Sequence, residues 1–523
     1  MVLTRFAAGG AVAAANHLAA TAGVAMLERG GNAVDAAIAA GAVMAVTSPN
    51  MCGLGGDLFA VVASPGADPV ALNASGRAGT GADPERLRAA GVTGMPFQHD
   101  IRGVTIPGCV DGFMALHERF GALSLSEVLA PAHRLADEGF PVSPTLAEES
   151  NVLDAEIRRQ AFGQTGPLVR GRRLRVPGVA RAIAAIIESG RAGFYEGAVG
   201  RELLALGGGE FTEADLVRPN ADWSEALCLT AFGRRLWTTP PNSQGYLALA
   251  GAWIADAIGL PDDPDDERWA FLLVEAARQA AFDRVAVLHE GADGGQLISE
   301  GRLGPRAAAV RDQASVDLAD VYGDGGTTCV CALDGEHTGV SLIMSTGAEF
   351  GSHLLLQDHG IFLHNRGMGF SLGPGHPAEY GPGRRPPHTL TPLVLTDAEG
   401  ALDTVLGTMG ADAQPQILLQ LMARVLVHGE EPGHALRAPR WVISRDHPTG
   451  FHIWELDGPP IIRLERGVPA AWKAGLVSRG YHVVDAPPGD HTFGHAQMIR
   501  ITNDGLLCGA ADPRSGDGAC VGR

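Results

Sequence analysis

Apolar residues recur at helical spacing in the first part of the chain. The apolar positions of residues 18–28 stop at Gly30-Gly31, and Asn32 can then cap a second helix from Ala33 to about Val46. The pattern therefore predicts a packed pair of helices near the start. Helical periodicity returns in three further segments, 110–140, 177–206 and 266–291.

From Thr327 onward, short apolar runs alternate with turn residues, which is typical of β-strands. Strands joined by short turns are antiparallel, and the predicted helices lie mostly earlier in the chain. The sequence therefore predicts an α+β fold with an antiparallel sheet core covered by helices, and a long loop from Gly373 to Pro392. The predicted strands are 327–333, 339–345, 393–396, 402–406, 497–502 and 506–508.

Composition narrows the class of protein. The 523 residues are 46% hydrophobic and 19% charged, which is enough to bury a large core. The chain carries 40 basic and 59 acidic side chains, a net charge of −19, and no Lys/Arg cluster stands out, so no nucleic-acid partner is expected. The first residues lack the pattern of a secretory signal and no apolar run is long enough to span a membrane, which favours a soluble, cytoplasmic protein.

Three local patterns suggest catalytic or ligand sites but have simpler interpretations. Gly53–Gly56 follows a predicted helix and precedes a strand, the reverse of a phosphate-binding loop, and is interpreted as a tight turn. Gly369–Gly373 matches G-x-S-x-G, but the prolines after it prevent the helix that a serine hydrolase requires. His353, His359 and His364 fit no metal-ligand spacing, and the seven cysteines contain no C-x-x-C, so neither a metal nor another cofactor is predicted.

The stretch 321–334 combines a glycine-rich run with a threonine at the start of a strand. The missing Cβ of Gly326 would let the Thr327 hydroxyl approach the preceding carbonyl, which is compatible with self-cleavage. A glycine-rich loop followed by an ordinary Thr-Thr strand start explains the same residues, because threonine favours strands. On these residues alone the ordinary loop is the preferred interpretation.

Segments spread over nearly the whole chain resemble, in order, the γ-glutamyltransferase family of N-terminal-nucleophile hydrolases. The resemblance implies a four-layer αββα sandwich, which agrees with the independent prediction of an antiparallel sheet covered by helices. The matching segments are Leu27–Ala37, Gly53–Gly56, Pro107–Gly112, Gly326–Thr328, Phe350–Ser352, Gly407–Gly410 and Asp512–Ser515.

The resemblance makes Thr327 the catalytic nucleophile and the Gly326–Thr327 bond the autocleavage site. It implies a large subunit of residues 1–326, the helix-rich part, and a small, hairpin-rich subunit of residues 327–523, which stay packed as one intertwined domain. The freed α-amine of Thr327 would act as general base, since a terminal amine titrates near neutrality. Assembly into a homo-oligomer is left open.

The resemblance assigns further site residues by position. Backbone amides of Gly410 and Ala411 would stabilise the oxyanion, and Ala411, where the family usually has a second glycine, can serve if its φ is negative. Ser345 matches a threonine that hydrogen-bonds the nucleophile, and Arg77 matches an arginine that clamps the donor's α-carboxylate. The remaining substrate-binding positions are Arg366, His388 and Thr389.

Departures from the family pattern bear on the substrate. The amine-facing asparagine and aspartate of the family are Gly347 and Gly369 here, and its Ser-Ser pair is His388-Thr389. A site without a buried anion would not compensate the desolvation of a substrate ammonium, so we expect a carboxylate-bearing amide without the α-amine, of the oxamate or glutaryl type. The loop Gly373–Arg385 is shorter than the lid of transpeptidases, which favours water over an amine as acceptor.

Three functional hypotheses follow. The chain is a hydrolase of γ-glutamyl or related amides, an amidohydrolase or acylase acting on an amine-free donor, or a non-catalytic relative that uses the cleft for binding.

Overall fold

The architecture is a four-layer αββα sandwich, as predicted. The computed structural model describes residues 4–315, 326–444 and 460–523. Residues 321–325 of the glycine-rich run considered above lie outside the described residues.

The strands of the described residues form two seven-stranded antiparallel sheets and three small sheets. Sheet 1 has the order β21-β2-β10-β11-β3-β4-β7, and sheet 2 has the order β1-β20-β19-β15-β14-β9-β8. The strands are β1 (Arg5–Ala7), β2 (Gly10–Ala14), β3 (Asp57–Ala63), β4 (Val70–Ala74), β5 (Phe140–Pro141), β6 (Arg173–Leu174), β7 (Asp222–Glu225), β8 (Leu227–Ala231), β9 (Arg234–Thr238), β10 (Gly326–Asp334), β11 (Gly339–Gly347), β12 (Leu355–Leu356), β13 (Ile361–Phe362), β14 (Leu393–Thr396), β15 (Leu402–Thr408), β16 (Trp441–Ser444), β17 (Ile461–Leu464), β18 (His482–Asp485), β19 (Ala496–Ile501), β20 (Leu507–Ala511) and β21 (Ala519–Gly522).

Helices cover the outer faces of both sheets. They are α1 (His17–Glu28), α2 (Ala33–Thr47), α3 (Pro84–Ala89), α4 (Cys109–Phe120), α5 (Leu125–Glu138), α6 (Pro144–Glu149), α7 (Ala155–Phe162), α8 (Pro177–Tyr195), α9 (Ala198–Gly207), α10 (Glu213–Val217), α11 (Tyr246–Ile258), α12 (Glu267–Ala281), α13 (Arg284–Val287), α14 (Gly294–Leu297), α15 (Glu300–Ala309), α16 (Gln414–Met422), α17 (Pro432–Arg437) and α18 (Ala470–Ser478).

The first helices begin where their capping residues predict. Asn16 caps α1, and Asn32 with Asp35 forms a capping box at the start of α2, so amides that lack intrahelical partners are satisfied. The predicted block 110–140 is two helices, α4 and α5. The predicted segment 177–206 is likewise two helices, α8 and α9. The segment 266–291 is helix α12 followed by the short helix α13.

Three apolar cores separate the four layers. One packs α1, α2, α5 and α8 against sheet 1, and another packs α11, α12 and α16 against sheet 2. Between the sheets, Phe59 and Ile343 from sheet 1 lie in one cluster with Trp237 and Val405 from sheet 2. Alternate residues of a strand face opposite sides, so the central strands are buried on both faces.

Both sheets combine strands from before and after residue 327. In sheet 1, β10 begins at the predicted cleavage point and pairs with β2 on one side and β11 on the other. In sheet 2, β9 pairs with β14, and β1 pairs with β20. Neither predicted subunit therefore holds a complete seven-stranded sheet.

No helix of the described residues is both long enough and apolar enough to cross a membrane.

Candidate active site

Thr327 lies at an irregularity near the start of β10. Gly326 pairs with Gly347 and Thr328 with Met344, so the register shifts across Thr327 as in a β-bulge. The Thr327 side chain is fully buried, and its Oγ1 lies 2.8 Å from the carbonyl oxygen of Gly326 and 3.1 Å from Ser345 Oγ. The bulge thus turns the hydroxyl toward the peptide bond that precedes it.

Ser345 connects the nucleophile to a cation. Its Oγ accepts hydrogen bonds from the Gly347 amide at 2.9 Å and from the Arg366 guanidinium. Because both acceptor positions are filled, its own proton goes to the Gly326 carbonyl oxygen, 2.6 Å away. The arrangement polarises the carbonyl of the Gly326–Thr327 peptide bond.

Gly326 has little room for a side chain. A Cβ at this position would stand 3.0 Å from the carbonyl oxygen of Asn50 and 3.2 Å from that of Ala348. The glycine therefore lets the chain pass between two backbone segments beside the nucleophile.

Arg366 is a buried cation next to Ser345. Its second terminal nitrogen donates to Thr389 Oγ1 at 2.7 Å, and its buried Nε has no hydrogen-bond partner among the residues that the structure describes. Within the described residues no carboxylate forms an ion pair with it. Burial lowers the pKa of Arg366 to about 10, so the group is still charged at neutral pH.

Asp57 and His388 lie behind Thr389. Asp57 opens β3 opposite Ser345 in the ladder, and one carboxylate oxygen accepts from the amides of Gly76 at 2.9 Å and Gly108 at 3.1 Å. The other oxygen lies 3.2 Å from His388 Nε2. Burial raises the pKa of Asp57, but the two nearby imidazoles and the Gly76 amide outweigh it and bring the pKa to about 2.

His388 has partners within the protein on both ring nitrogens. Its Nδ1 accepts from the Leu390 amide at 3.3 Å, so Nε2 carries the proton and donates to Asp57. Burial lowers its pKa to about 3, which keeps the ring neutral. Both ring nitrogens are occupied, and His388 instead holds the neighbouring Thr389 in place.

His364 fixes the backbone of Arg366. Its Nε2 faces the Thr105 carbonyl at 3.0 Å, and its Nδ1 accepts from the Arg366 amide at 3.1 Å. Burial lowers the pKa of His364, consistent with a neutral ring. Both the main chain and the side chain of Arg366 are therefore held.

The Gly410–Ala411 turn lies close to Gly326. Ala411 packs against Ala348, whose carbonyl oxygen borders Gly326. Within the described chain, neither the Gly410 nor the Ala411 amide donates to another backbone group, which suits an oxyanion site. The condition set for Ala411 is not met, because its φ is +43°, in the left-handed region that costs a non-glycine residue about 1–2 kcal/mol.

Gln244 links this turn to the Arg366 side of the site. Its fully buried Nε2 donates to the carbonyl oxygens of Thr389 at 3.0 Å and Ala411 at 2.9 Å. The Gln244 side-chain amide thus sets the distance between the Gly410–Ala411 turn and Thr389, which contacts Arg366.

The positions where the resemblance expects amine-facing side chains have no space for them. Gly347 has a φ of +97°, and a Cβ there would collide with Asn365 Oδ1, which accepts from the Ala348 amide at 3.0 Å. At Gly369 a Cβ would stand 2.6 Å from the Pro387 carbonyl oxygen. Neither position can supply an anion for a substrate ammonium.

Arg77 has partners that its predicted role as a carboxylate clamp does not anticipate. Its guanidinium pairs with Glu290 and, at 3.2 Å, with Asp222, and it donates to the Gly383 carbonyl. These carboxylates already pair with the charge, whereas among the described residues Arg366 forms no ion pair and feels Asp57 and Asp412 only at longer range. Arg77 and Arg366, both predicted to bind substrate, therefore differ in how far their charges are already paired.

The structure gives no catalytic or metal-binding arrangement to the glycine turn, the G-x-S-x-G match or the three histidines within the described residues. Gly53–Gly56 is a turn that leads into β3, and Ser371 bridges to Glu379 in a loop without a following helix. His359 pairs with Glu202, and His353 contacts Gln98, so the three histidines face separate partners.

Sequence reasoning missed Asp57, Gln244 and Asn365. Asp57 carried a usable signal, since a carboxylate at the head of the apolar run Leu58–Val62 is rarely buried without a specific partner. The two amides carried none, because their contacts join segments far apart in the chain.

Comparisons with known proteins identify relatives in sequence and in structure. The sequence model of the gamma-glutamyltranspeptidase family matches residues 19–522. The chain is 33% identical to the oxamate amidohydrolase proenzyme of Klebsiella pneumoniae and 31% identical to the glutathione hydrolase-like YwrD proenzyme of Bacillus subtilis, each over 98% of both chains. The crystal structure of cephalosporin acylase from Bacillus halodurans superposes with a TM-score of 0.90 at 30% identity, covering 100% of this chain and 97% of the other.

Proposed function

The chain belongs to the gamma-glutamyltranspeptidase family of N-terminal-nucleophile hydrolases, and from this premise we propose that it is a self-cleaving amidohydrolase that uses Thr327 to hydrolyse monoamides of dicarboxylic acids without an α-amine. The buried Arg366 carries the proposal. Among the described residues this cation has no ion-paired carboxylate, and only the longer-range attraction of Asp57 and Asp412 offsets its burial. A substrate carboxylate would add a direct partner and complete its hydrogen bonds.

The same cation disfavours an α-ammonium. A γ-glutamyl donor would bring a positive charge into a pocket that already holds Arg366, and Gly347 and Gly369 offer no carboxylate to offset it. Like charges in a low-dielectric site repel strongly. A glutaryl or oxalyl amide has the carboxylate and lacks the repulsive charge.

Cleavage of the Gly326–Thr327 bond would free the Thr327 α-amine. That amine takes the hydroxyl proton as Oγ1 attacks the amide carbon, and the Gly410 and Ala411 amides hold the oxyanion. The positive φ of Ala411 costs stability, but its amide has no backbone acceptor within the described chain and can still donate. The C–N bond then breaks, the leaving nitrogen receives the proton, and the acyl group remains on Oγ1 as an ester. Water attacks the ester with the amine again as base, which releases the dicarboxylate and restores the hydroxyl.

A matched pair of anilides tests this function. γ-Glutamyl anilide and glutaryl anilide differ only in the α-amine, so their relative kcat/KM isolates its effect. We expect the self-cleaved protein to hydrolyse the glutaryl compound at least about tenfold faster, the effect of about 1.4 kcal/mol. A preference for the γ-glutamyl compound would reject the amine-free donor.

Two arginine variants identify the clamp. Arg366→Gln removes the buried charge and should raise KM for the glutaryl anilide about tenfold or more. Arg77→Gln is the control, since the Arg77 charge is already paired with Glu290 and Asp222. A larger KM increase in Arg77→Gln than in Arg366→Gln would return the clamp to Arg77.

The γ-glutamyl hydrolase is the second candidate because a relative with 31% identity carries the name glutathione hydrolase-like. The same anilide pair decides between them. Protein that neither splits nor hydrolyses either anilide would support a non-catalytic role.

A further inference from the structure

The partly buried carboxyl group of Glu149 lies at the end of α6 and contacts the turn that contains Asn50. Its Oε2 accepts a hydrogen bond from the Asn50 side-chain amide at 2.7 Å. Asn50 is 1% exposed, and its Oδ1 is buried without a hydrogen-bond partner among the described residues. The proposed mechanism assigns no role to either side chain.

The backbone of Asn50 borders the peptide bond that is predicted to break. Its carbonyl oxygen accepts from the Phe350 amide at 3.0 Å. A Cβ on Gly326 would stand 3.0 Å from this same oxygen and 3.2 Å from the Ala348 carbonyl oxygen, so the glycine lies between the two segments. A shift of the Asn50 turn would therefore move one of the two backbone segments that confine Gly326.

The protonation state of Glu149 decides how many hydrogen bonds it can make with Asn50. A carboxylate only accepts, whereas a neutral carboxyl group accepts at one oxygen and donates from the other. A neutral Glu149 can therefore accept from the Asn50 amide nitrogen and also donate to the otherwise unpartnered Oδ1. The ionised form leaves that buried oxygen without a donor among the described residues.

The surroundings of Glu149 favour the neutral form. Burial raises its pKa to about 8, the Asn50 amide opposes this shift, and the carboxyl groups of Glu349 and Glu148 add to it. Glu349 lies in the turn after β11 and Glu148 on α6 itself, and these are the charged groups that act on Glu149 within the described chain. At neutral pH the protonated carboxyl group is therefore the major form.

We propose that Glu149 is a positioning residue for self-cleavage, which in its neutral form pairs with the Asn50 side chain through two hydrogen bonds and so fixes the backbone beside Gly326. This inference rests on the proposed self-cleavage at Thr327. Glu149 does not touch the reacting atoms and acts through the Asn50 turn. In the precursor the Thr327 nitrogen is a peptide amide that does not titrate near neutral pH, so Glu149 gives the cleavage step a pH dependence of its own.

Two substitutions test the pairing with Asn50. Glu149→Ala removes both hydrogen bonds and should slow cleavage of fresh precursor about tenfold, because the scissile carbonyl is less well placed. Glu149→Gln keeps one acceptor and a permanent donor in the shape of the neutral carboxyl group, so at pH 6.5 it should cleave at the wild-type rate. Precursor from cell-free synthesis is sampled at timed intervals and analysed by denaturing electrophoresis.

The pH profile distinguishes this pairing from simple packing. At pH 9 most of Glu149 is ionised, so Asn50 Oδ1 loses its donor and the neighbouring carboxylates repel one another. Glu149→Gln should therefore cleave about fivefold faster than wild type at pH 9, although the two rates are equal at pH 6.5. Glu148→Gln, the same substitution on the exposed neighbouring residue, is the matched control and should remain as slow as wild type at pH 9.

The outcomes separate the inference from the function on which it rests. Equal rates for Glu149→Gln and wild type at pH 9 would overturn the role of Glu149, even if Glu149→Ala fails to fold. Wild-type cleavage by Glu149→Ala would overturn it as well. A wild-type precursor that never splits would instead reject the proposed self-cleavage.

Discussion

At the scale of single residues, one serine hydroxyl joins the predicted nucleophile to a buried cation. Ser345 Oγ contacts Thr327 Oγ1, the Gly326 carbonyl oxygen and the Arg366 guanidinium. The same contacts serve the two reactions proposed here, since they polarise the peptide bond before cleavage and place a cation near the hydroxyl afterward.

Thr327→Ala should prevent both self-cleavage and amide hydrolysis, because it removes the attacking oxygen. Mass spectrometry under denaturing conditions should show one chain for the variant and two for the wild type, the smaller beginning Thr-Thr-Cys-Val. Thr328→Ala is the matched control, since the buried Thr328 hydroxyl has no hydrogen-bond partner among the described residues. Cleavage that persists in Thr327→Ala would exclude Thr327 as the nucleophile.

The pH profile of kcat/KM for a carboxylate-bearing amide should be bell-shaped. The freed Thr327 amine must be unprotonated to act as base, so activity rises through its pKa near about 8. Burial lowers the pKa of Arg366 to about 10, so the cation and the carboxylate binding that depends on it are lost above that pH. Steady-state kinetics from pH 6 to 10.5 measure both limbs, and activity that stays constant from pH 9 to 10.5 would show that Arg366 keeps its proton over that range.

At the scale of elements, the hairpin of β10 and β11 carries the nucleophile at one end and an ordinary turn at the other. Its strands were predicted closely from the sequence, because alternating apolar residues and the Asp334-Gly335 turn are local signals. The bulge at Thr327 was not predictable. It appears only when Gly326 pairs with Gly347 while Thr328 pairs with Met344.

Gly326→Ala should slow self-cleavage about tenfold while the fold persists. The added methyl group would press against the Asn50 and Ala348 carbonyl oxygens at 3.0 and 3.2 Å and displace the scissile carbonyl. The rate is measured by denaturing electrophoresis at timed intervals after synthesis of the precursor.

Gly335→Ala provides a control on the opposite end of the same hairpin. There the nearest neighbour of an added Cβ is the Gly9 carbonyl oxygen at 3.2 Å, so the steric load is similar but far from Thr327. Equal slowing in both variants would show that general loosening of the hairpin, and not displacement of the carbonyl, controls cleavage.

At the scale of the whole molecule, the two sheets are shared between residues before and after 327. The cleavage proposed here would cut the chain at one strand end and leave the ladders of β10 with β2 and β11 intact. The interior clusters combine side chains from both parts, so separation would expose the core between the sheets.

The large and small pieces should therefore remain associated after cleavage and unfold together. Native size-exclusion chromatography should give one peak that resolves into two chains only in denaturant, and thermal unfolding should show a single transition. The uncleaved Thr327→Ala chain should elute at the same position. A small piece that elutes alone would contradict the shared-sheet arrangement.

The sequence by itself determined the local elements and the family. Capping residues such as Asn32, apolar periodicity and the ordered family segments depend on neighbours within a few residues, so they are readable along the chain. Only the tertiary structure decided which side chains support the site and which arginine lacks an ion-paired carboxylate among the described residues. Asp57 meets His388 across 331 positions, and Arg77 is neutralised by Glu290 across 213. Charge compensation and burial depend on which distant side chains share a low-dielectric space, and only the folded chain fixes that proximity.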